Sequence, residues 1–142
     1  MEPVEFERMY DVIGRDFLNA GRVSTSIKDT LKRLGVNPVV VRRVAIASYE
    51  AEMNVVMYAL RATILLTVSP KDVTLAVDDT GPGIEDIALA MQEGYSTATP
   101  EMREMGFGAG MGLPNIKRNA DEFVIASEIG RGTKLFIQVR QL

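Results

Sequence analysis

Between Asp16 and Leu34 the apolar residues Ala20, Val23, Ile27, Leu31 and Leu34 recur every three or four positions, the spacing of one helix face. Gly35 follows where a helix end favours a residue without a side chain, and Asn37-Pro38 restarts the chain. The same spacing resumes at Val40, Val44, Ala47, Ala51, Val55 and Tyr58, which predicts a second helix from Pro38 to Ala59 with one apolar stripe. The pattern then changes to two short β-like runs, "ATILLTV" and "DVTLAVDD", joined by Ser69-Pro70-Lys71 as in a hairpin. An opening strand is read over Val4–Ile13, where the alternation is imperfect, and a short helix over Glu85–Gln92. From Glu93 to Met111 Gly, Ser, Thr and Pro mix without a period, which predicts a loop. A helix over Leu113–Asn119 follows, then two strands, "EFVIASE" and "TKLFIQVR", joined at Ile129-Gly130-Arg131-Gly132.

The order β-α-α-β-β-α-loop-α-β-β, with short turns between neighbouring strands, predicts an α+β fold. Its form is a two-layer α/β sandwich with a mixed, mostly antiparallel sheet and helices on one face. No repeat, linker or low-complexity tract divides residues 1–142, so a single domain is expected, long enough to bury a core. The net charge of −3 and the lack of a basic stretch argue against a nucleic-acid partner. "MEPVEFERMYDVIG" lacks the charged-then-apolar order of a secretory signal, and "ATILLTV" is too short to span a bilayer. A cytoplasmic protein with no membrane partner is the expectation.

Two absences narrow the chemistry. Without cysteine there are no disulfides, thiol nucleophiles or thiolate metal sites. Without histidine there is no Ser-His-Asp hydrolysis, no imidazole-held zinc and no autophosphorylation on histidine within the chain. Acid–base work near neutral pH then falls to carboxylates, and a metal would be a hard cation on oxygen ligands, Mg²⁺ being the natural choice.

Three stretches carry candidate chemistry. In "SYEAEMNVV", Glu50 and Asn54 lie four residues apart, so they project from one side of the second helix, in a row with Ile46. They read either as a cleft-edge pair or as a solvated polar pair, while Glu52, off this row, reads as surface. In "AVDDTGPGI" an apolar strand ends in Asp78-Asp79 before Gly81-Pro82-Gly83. A carboxylate there can accept a hydrogen bond from an amino group such as that of adenine, and the plain alternative is a tight turn. In "GFGAGMGL", Gly106–Leu113, alternate glycines leading into a helix can present several backbone N–H groups to a phosphate, or can serve as a hinge. The spacing fits neither a Rossmann fingerprint nor a Walker A loop.

In this order the stretches resemble one family, the Bergerat-fold ATPases shared by gyrase-type, chaperone-type, histidine-kinase-type and MutL-type proteins. "EAEMN" is similar to its N box, "DTGPGI" to its Asp-x-Gly-x-Gly box, "GFGAGMGL" to its second glycine box and "GRGT" to its Gly-Thr element; the resemblance covers residues 35–140. "EGYSTATPEMREMGFGAG" is similar to the lid of bacterial anti-sigma factor serine kinases and of the related stressosome switch kinase, and "GLPNIKRNADEF" resembles the latter. The fully alternating glycine box departs from many anti-sigma kinases, whose version is shorter, which leaves the partner open.

The resemblance implies a Bergerat ATP-binding fold and an ATP-dependent protein serine/threonine kinase. Its roles carry over residue by residue. Asn54 would coordinate Mg²⁺ and Glu50 would be the general base. Asp79 would accept the adenine amino group with help from Thr133, and Gly81, Gly83 and Ile84 would shape that pocket. Gly106, Gly108, Gly110, Met111, Gly112 and Leu113 would line the triphosphate, and Thr97, Thr99 and Arg103 would reach it from the lid. The implied partner is a small STAS-type anti-anti-sigma protein, with a sigma factor and a homodimer also in view. The alternatives are an ATP-gated binding module with little kinase activity, a detached histidine-kinase-like catalytic domain, and a plain α+β domain whose glycines serve turns.

Overall fold

The computed structural model of the chain describes residues 5–92, 99–100 and 112–141. Strand β1 (Phe6–Ile13) leads through a 3-10 turn (Phe17–Asn19) to helices α1 (Arg22–Arg33) and α2 (Pro38–Tyr58). The hairpin β2 (Arg61–Val68) and β3 (Asp72–Thr80) follows, then a short helix α3 (Ile87–Ala90). Helix α4 (Gly112–Asn119) and the hairpin β4 (Glu122–Glu128) and β5 (Gly132–Arg140) complete the described chain.

The α1–α2 corner forms as the punctuation predicts. Gly35, at φ +76°, lets Gly35 N–H reach Lys32 O at 3.1 Å and Val36 N–H reach Leu31 O at 3.1 Å, which closes the end of α1 in a Schellman motif. Asn37 then caps α2, its side chain accepting from Val39 N at 2.8 Å, with Pro38 in the first turn. The start of α1 is later than the predicted Asp16, because Ala20 is extended and Gly21, at φ +96°, turns the chain into the helix from the left-handed region.

The five-stranded sheet runs in the order β1-β2-β3-β5-β4. Each described pair is antiparallel, so the expected mixed sheet has no parallel pair among the described residues. The physical reason at the first crossover is that α1 and α2 run out and back, so β2 enters from the end where β1 left. One sheet face carries Val12, Ile64, Leu66, Leu75, Val77, Leu135 and Ile137, all buried, against Ile27, Leu31, Val44, Ala51, Val55 and Ile116 of the helices. Met9, Val124 and Phe136 on the opposite face are exposed. This is the expected two-layer arrangement with helices on one face. Among the described residues no helix is long and apolar enough to cross a membrane.

Helix α2 is more deeply enclosed than a single stripe implies, since α1, α4 and the sheet all pack on it. This overturns the surface reading of Glu52, which is 2% exposed. Its carboxylate accepts from Gly21 N at 2.9 Å, Val23 N at 3.3 Å and Ser24 N at 2.8 Å. Helix α1 has no side-chain cap of its own, and Glu52 supplies one from the neighbouring helix. A negative group at that helix start is also favoured by the helix dipole. The α3 segment is shorter than the predicted Glu85–Gln92, with Asp86 capping it through Leu89 N at 3.0 Å.

Candidate active site

Glu50 and Asn54 stand one turn apart on α2, both half-buried. Helix α4 packs across this stretch and begins with Gly112. A Cβ on Gly112 would lie 3.2 Å from Asn54 Oδ1, 3.3 Å from Glu50 Oε2 and 3.6 Å from Asn54 Nδ2. The two side chains therefore converge on a single point at the start of α4, where a side chain on residue 112 would make their tips give by a few tenths of an ångström. A helix start exposes N–H groups without intrahelical partners and the positive end of the dipole. In this first turn the backbone N–H groups are those of Gly112 and Leu113, because Pro114 has none.

The carboxylate is tuned by its surroundings. Burial pushes the Glu50 pKa up, and a hydrogen bond from the Asn115 side chain partly opposes that rise. Asn115 is itself oriented: Arg118 Nη1 donates to its Oδ1 at 3.1 Å, and Asn119 Nδ2 donates to its backbone oxygen at 2.9 Å. With Oδ1 engaged by Arg118, the amide NH₂ of Asn115 is the group left to face Glu50. Asn115 was not singled out from the sequence. The helical period places it one turn after Gly112, and only the packing of α4 on α2 shows what it meets.

The second corner of the site lies at the end of β3. Strand alternation turns Asp79 to the helix-covered face with Val77 and Leu75, and Asp78 to the other. Asp79 Oδ1 accepts from Thr133 N at 2.9 Å, which leaves Oδ2 for a ligand. Burial raises the Asp79 pKa most, the Thr133 hydrogen bond lowers it, and the neighbouring Asp78 charge raises it further. The Thr133 hydroxyl pairs with Ser127 Oγ at 2.9 Å, and Ser127 Oγ accepts from Ile84 N at 2.8 Å. Ser127 thus ties the Gly81-Pro82-Gly83 segment to the β4–β5 hairpin, a role the sequence did not disclose.

The backbone completes the tie, with Gly81 N donating to Arg131 O at 3.0 Å and Gly130 N to Pro82 O at 2.9 Å. Gly83, at φ +81°, would put a Cβ 2.6 Å from Glu128 O, so its glycine is required by the hairpin. A Cβ on Gly81 would be 3.0 Å from Ala59 Cα at the end of α2. Ala59 is five residues beyond Asn54, or about 8 Å along the helix axis. The Asp79 corner and the Glu50–Asn54 pair therefore flank the same end of α2.

Of the remaining sequence-derived candidates, Ile84 is half-buried against the core, Leu113 is buried in it, and Thr99 is exposed. Thr97, Arg103, Gly106, Gly108, Gly110 and Met111 lie outside the described residues. No group of three or more acidic, Cys or His side chains that could hold a metal occurs among the described residues. A cation here would have the Asn54 carboxamide as side-chain donor and draw its other oxygens from a phosphate-bearing substrate and water. That donor set fits Mg²⁺, which keeps water ligands and shares phosphate oxygens.

Residues 41–141 match the model of the histidine kinase-, DNA gyrase B- and HSP90-like ATPases. The chain belongs to this family. All four motif stretches, from Glu50 to Thr133, fall within the matched residues, whereas β1 and α1 precede them. Its relatives place it in the anti-sigma regulatory branch of these ATPases. The chain is 33% identical over 112 residues to the serine/threonine-protein kinase RsbT of Bacillus subtilis (strain 168), covering 76% of this chain and 78% of that protein. It is 35% identical over 88 residues to the anti-sigma F factor of Thermoanaerobacter sp. (strain X514), covering 62% of this chain and 54% of that one. With the anti-sigma F factor of Clostridium acetobutylicum it shares 30% identity over 100 residues, covering 67% and 66%. The family uses ATP.

Proposed function

We propose that this ATPase-family chain is a protein serine/threonine kinase of the anti-sigma type. It transfers the γ-phosphate of ATP to a serine or threonine hydroxyl of a small STAS-domain partner, and regulates transcription by partner switching. The observation that carries the reading is the convergence of Glu50 and Asn54 on Gly112 at the start of α4. In this scheme adenine lies at the Asp79 corner, its amino group donating to Oδ2, while Thr133 N–H holds Oδ1 in place. The phosphates run toward α4, where main-chain N–H groups neutralise their oxygens. Asn54 would hold Mg²⁺, which when bound supplies positive charge for the phosphate oxygens.

The acceptor hydroxyl enters beside Glu50. Its oxygen forms the new bond to the γ-phosphorus as the bond from that phosphorus to the ADP oxygen breaks, and its proton passes to the Glu50 carboxylate. Burial makes Glu50 a stronger base than an exposed glutamate, and Asn115 keeps the ionised form oriented. No covalent phosphoenzyme is needed, in keeping with a chain that lacks histidine and cysteine.

The test is transfer from γ-labelled ATP to STAS-domain proteins. Acid-stable label on a serine or threonine is expected, and Glu50→Gln lowers the rate by at least about 100-fold while nucleotide binding persists. Acid-labile label would reassign the chain to histidine phosphorylation. ATP-dependent partner capture that survives Glu50→Gln, with no label transferred, would reassign it to a binding module.

A further inference from the structure

A groove of about 450 Å³ runs between the C-terminal half of α1 and the N-terminal half of α2. Its apolar side is built by Val41, Ala45 and Ile46, and its rim carries Lys28, Lys32 and Arg42. None of these three cations has a carboxylate partner among the described residues. The chain as a whole is acidic, with a net charge of −3, so this rim runs against its overall sign. Asp29, the acidic residue of α1, lies one turn before Lys32 but does not line the groove.

The groove lies one helical turn from the Glu50–Asn54 pair. Arg42, Ile46, Glu50 and Asn54 form one i, i+4 row on α2, so the apolar floor at Ile46 is one turn, about 6 Å of helix axis, from the Glu50 backbone. A segment seated in the groove would therefore run along the row that ends at the candidate base.

We propose that this groove docks an acidic amphipathic helix of the protein substrate. Apolar residues of that helix, three and four positions apart, fill the floor, and its flanking carboxylates pair with Lys28, Lys32 and Arg42. The delivery of a hydroxyl to Glu50 rests on the kinase reading above, but the binding itself does not. The chemistry of the rim selects this occupant. A concave groove with three cations is a poor match for a flat anionic bilayer, which is held by larger basic clusters, and a nucleic-acid backbone has no apolar side chains to fill the floor at Val41, Ala45 and Ile46. Rim charges of this kind act mainly on the association rate and on its salt dependence.

The test uses the full chain and a fluorescein-labelled helical peptide with leucines on one face and glutamates beside them, set against the same peptide with lysines for glutamates. Wild type should bind the glutamate peptide about tenfold more tightly than the lysine peptide, with affinity falling as salt rises, and K28E/K32E/R42E should abolish that preference. Lys28 and Lys32 are exposed, as is Arg42, so the triple variant should keep its ATP affinity and melt within about 5 °C of wild type, the small loss coming from acidic residues near the end of α1. With a STAS acceptor its KM should rise about tenfold at unchanged kcat. Equal binding of the two peptides, or a triple variant with wild-type preference, overturns the proposal. So does co-sedimentation of the wild type with phosphatidylglycerol vesicles in preference to the peptide, or a self-association that the triple variant removes. If no acceptor is ever labelled, the kinase reading fails while the peptide measurement still decides the groove; if labelling proceeds but the peptide preference is absent, the groove alone fails.

Discussion

Replacing Gly132 by alanine perturbs the nucleotide corner through the backbone alone. Gly132 has φ +149°, in a region that side chains other than glycine's enter only with strain, and a Cβ there would stand 2.0 Å from Asp79 O and 2.9 Å from Asp79 Oδ1. Contacts below 3.0 Å are not tolerated, so the end of β3 and the start of β5 must separate by about 1 Å. That movement breaks the Thr133 N–Asp79 Oδ1 hydrogen bond of 2.9 Å and the neighbouring Gly81 N–Arg131 O bond of 3.0 Å. The first is charge-assisted, worth about 1.5–3 kcal/mol, and the second about 1 kcal/mol. The corner is half exposed, so the low end applies; with the backbone strain the loss comes to about 3 kcal/mol. For a chain of this size that corresponds to a melting temperature lower by about 10 °C. Calorimetric melting and isothermal titration with ATP are the assays. Adenine-nucleotide affinity, measured below the new transition, should fall at least about tenfold, because the carboxylate that meets the adenine amino group has been moved. A variant that melts within about 2 °C of wild type and binds ATP equally well would refute the placement of adenine at this corner.

Other perturbations probe the rest of the molecule. Glu52→Leu strands three backbone N–H groups at the start of α1 and should cost about 3 kcal/mol in urea unfolding, whereas Glu52→Gln, which keeps an acceptor, should cost less; a loss below about 1 kcal/mol for the leucine variant would discount the cap. Because burial raises the Glu50 pKa and the base must be ionised, kcat/KM should climb with pH through a value above that of an ordinary glutamate. Asn115→Leu removes the opposing hydrogen bond and should move this limb higher still, and a limb that stays in place would remove Asn115 from the site. The stability sign is the reverse: a raised carboxylate pKa favours the protonated folded state, a contribution present at low pH and lost as pH rises through the folded value. Relative to wild type, Glu50→Gln should therefore gain stability as pH rises, which chemical unfolding at a series of pH values will read. Asn54→Ala should abolish the Mg²⁺-dependent part of ATP affinity and leave the affinity in EDTA unchanged; a persistent Mg²⁺ effect in titration calorimetry would place the metal elsewhere.

Much of this protein is written locally. The three-to-four spacing of Ile27, Leu31, Val44, Ala51 and Val55 and the stop-and-start signal at Gly35-Val36-Asn37-Pro38 specify α1, α2 and their corner, because helix period and capping depend on residues a few positions apart. Glu50 and Asn54 were recognisable as a pair for the same reason, and Asp79 as a carboxylate at a strand end. Other features needed contacts between residues far apart in sequence. Glu52 read as surface until α1 was seen to lay its first turn against it, 28 to 31 residues away. Asn115 and Ser127 carried no motif; each is defined by the segment that crosses it, α2 in one case and the turn after β3 in the other. The glycines divide along the same line. Gly35 is explained by its own φ, but Gly83 and Gly132 are needed because another part of the backbone passes where a side chain would be, and Gly112 leaves room for the tips of Glu50 and Asn54. Local spacing decides which residues share a face; only the packing of faces decides what each of them meets.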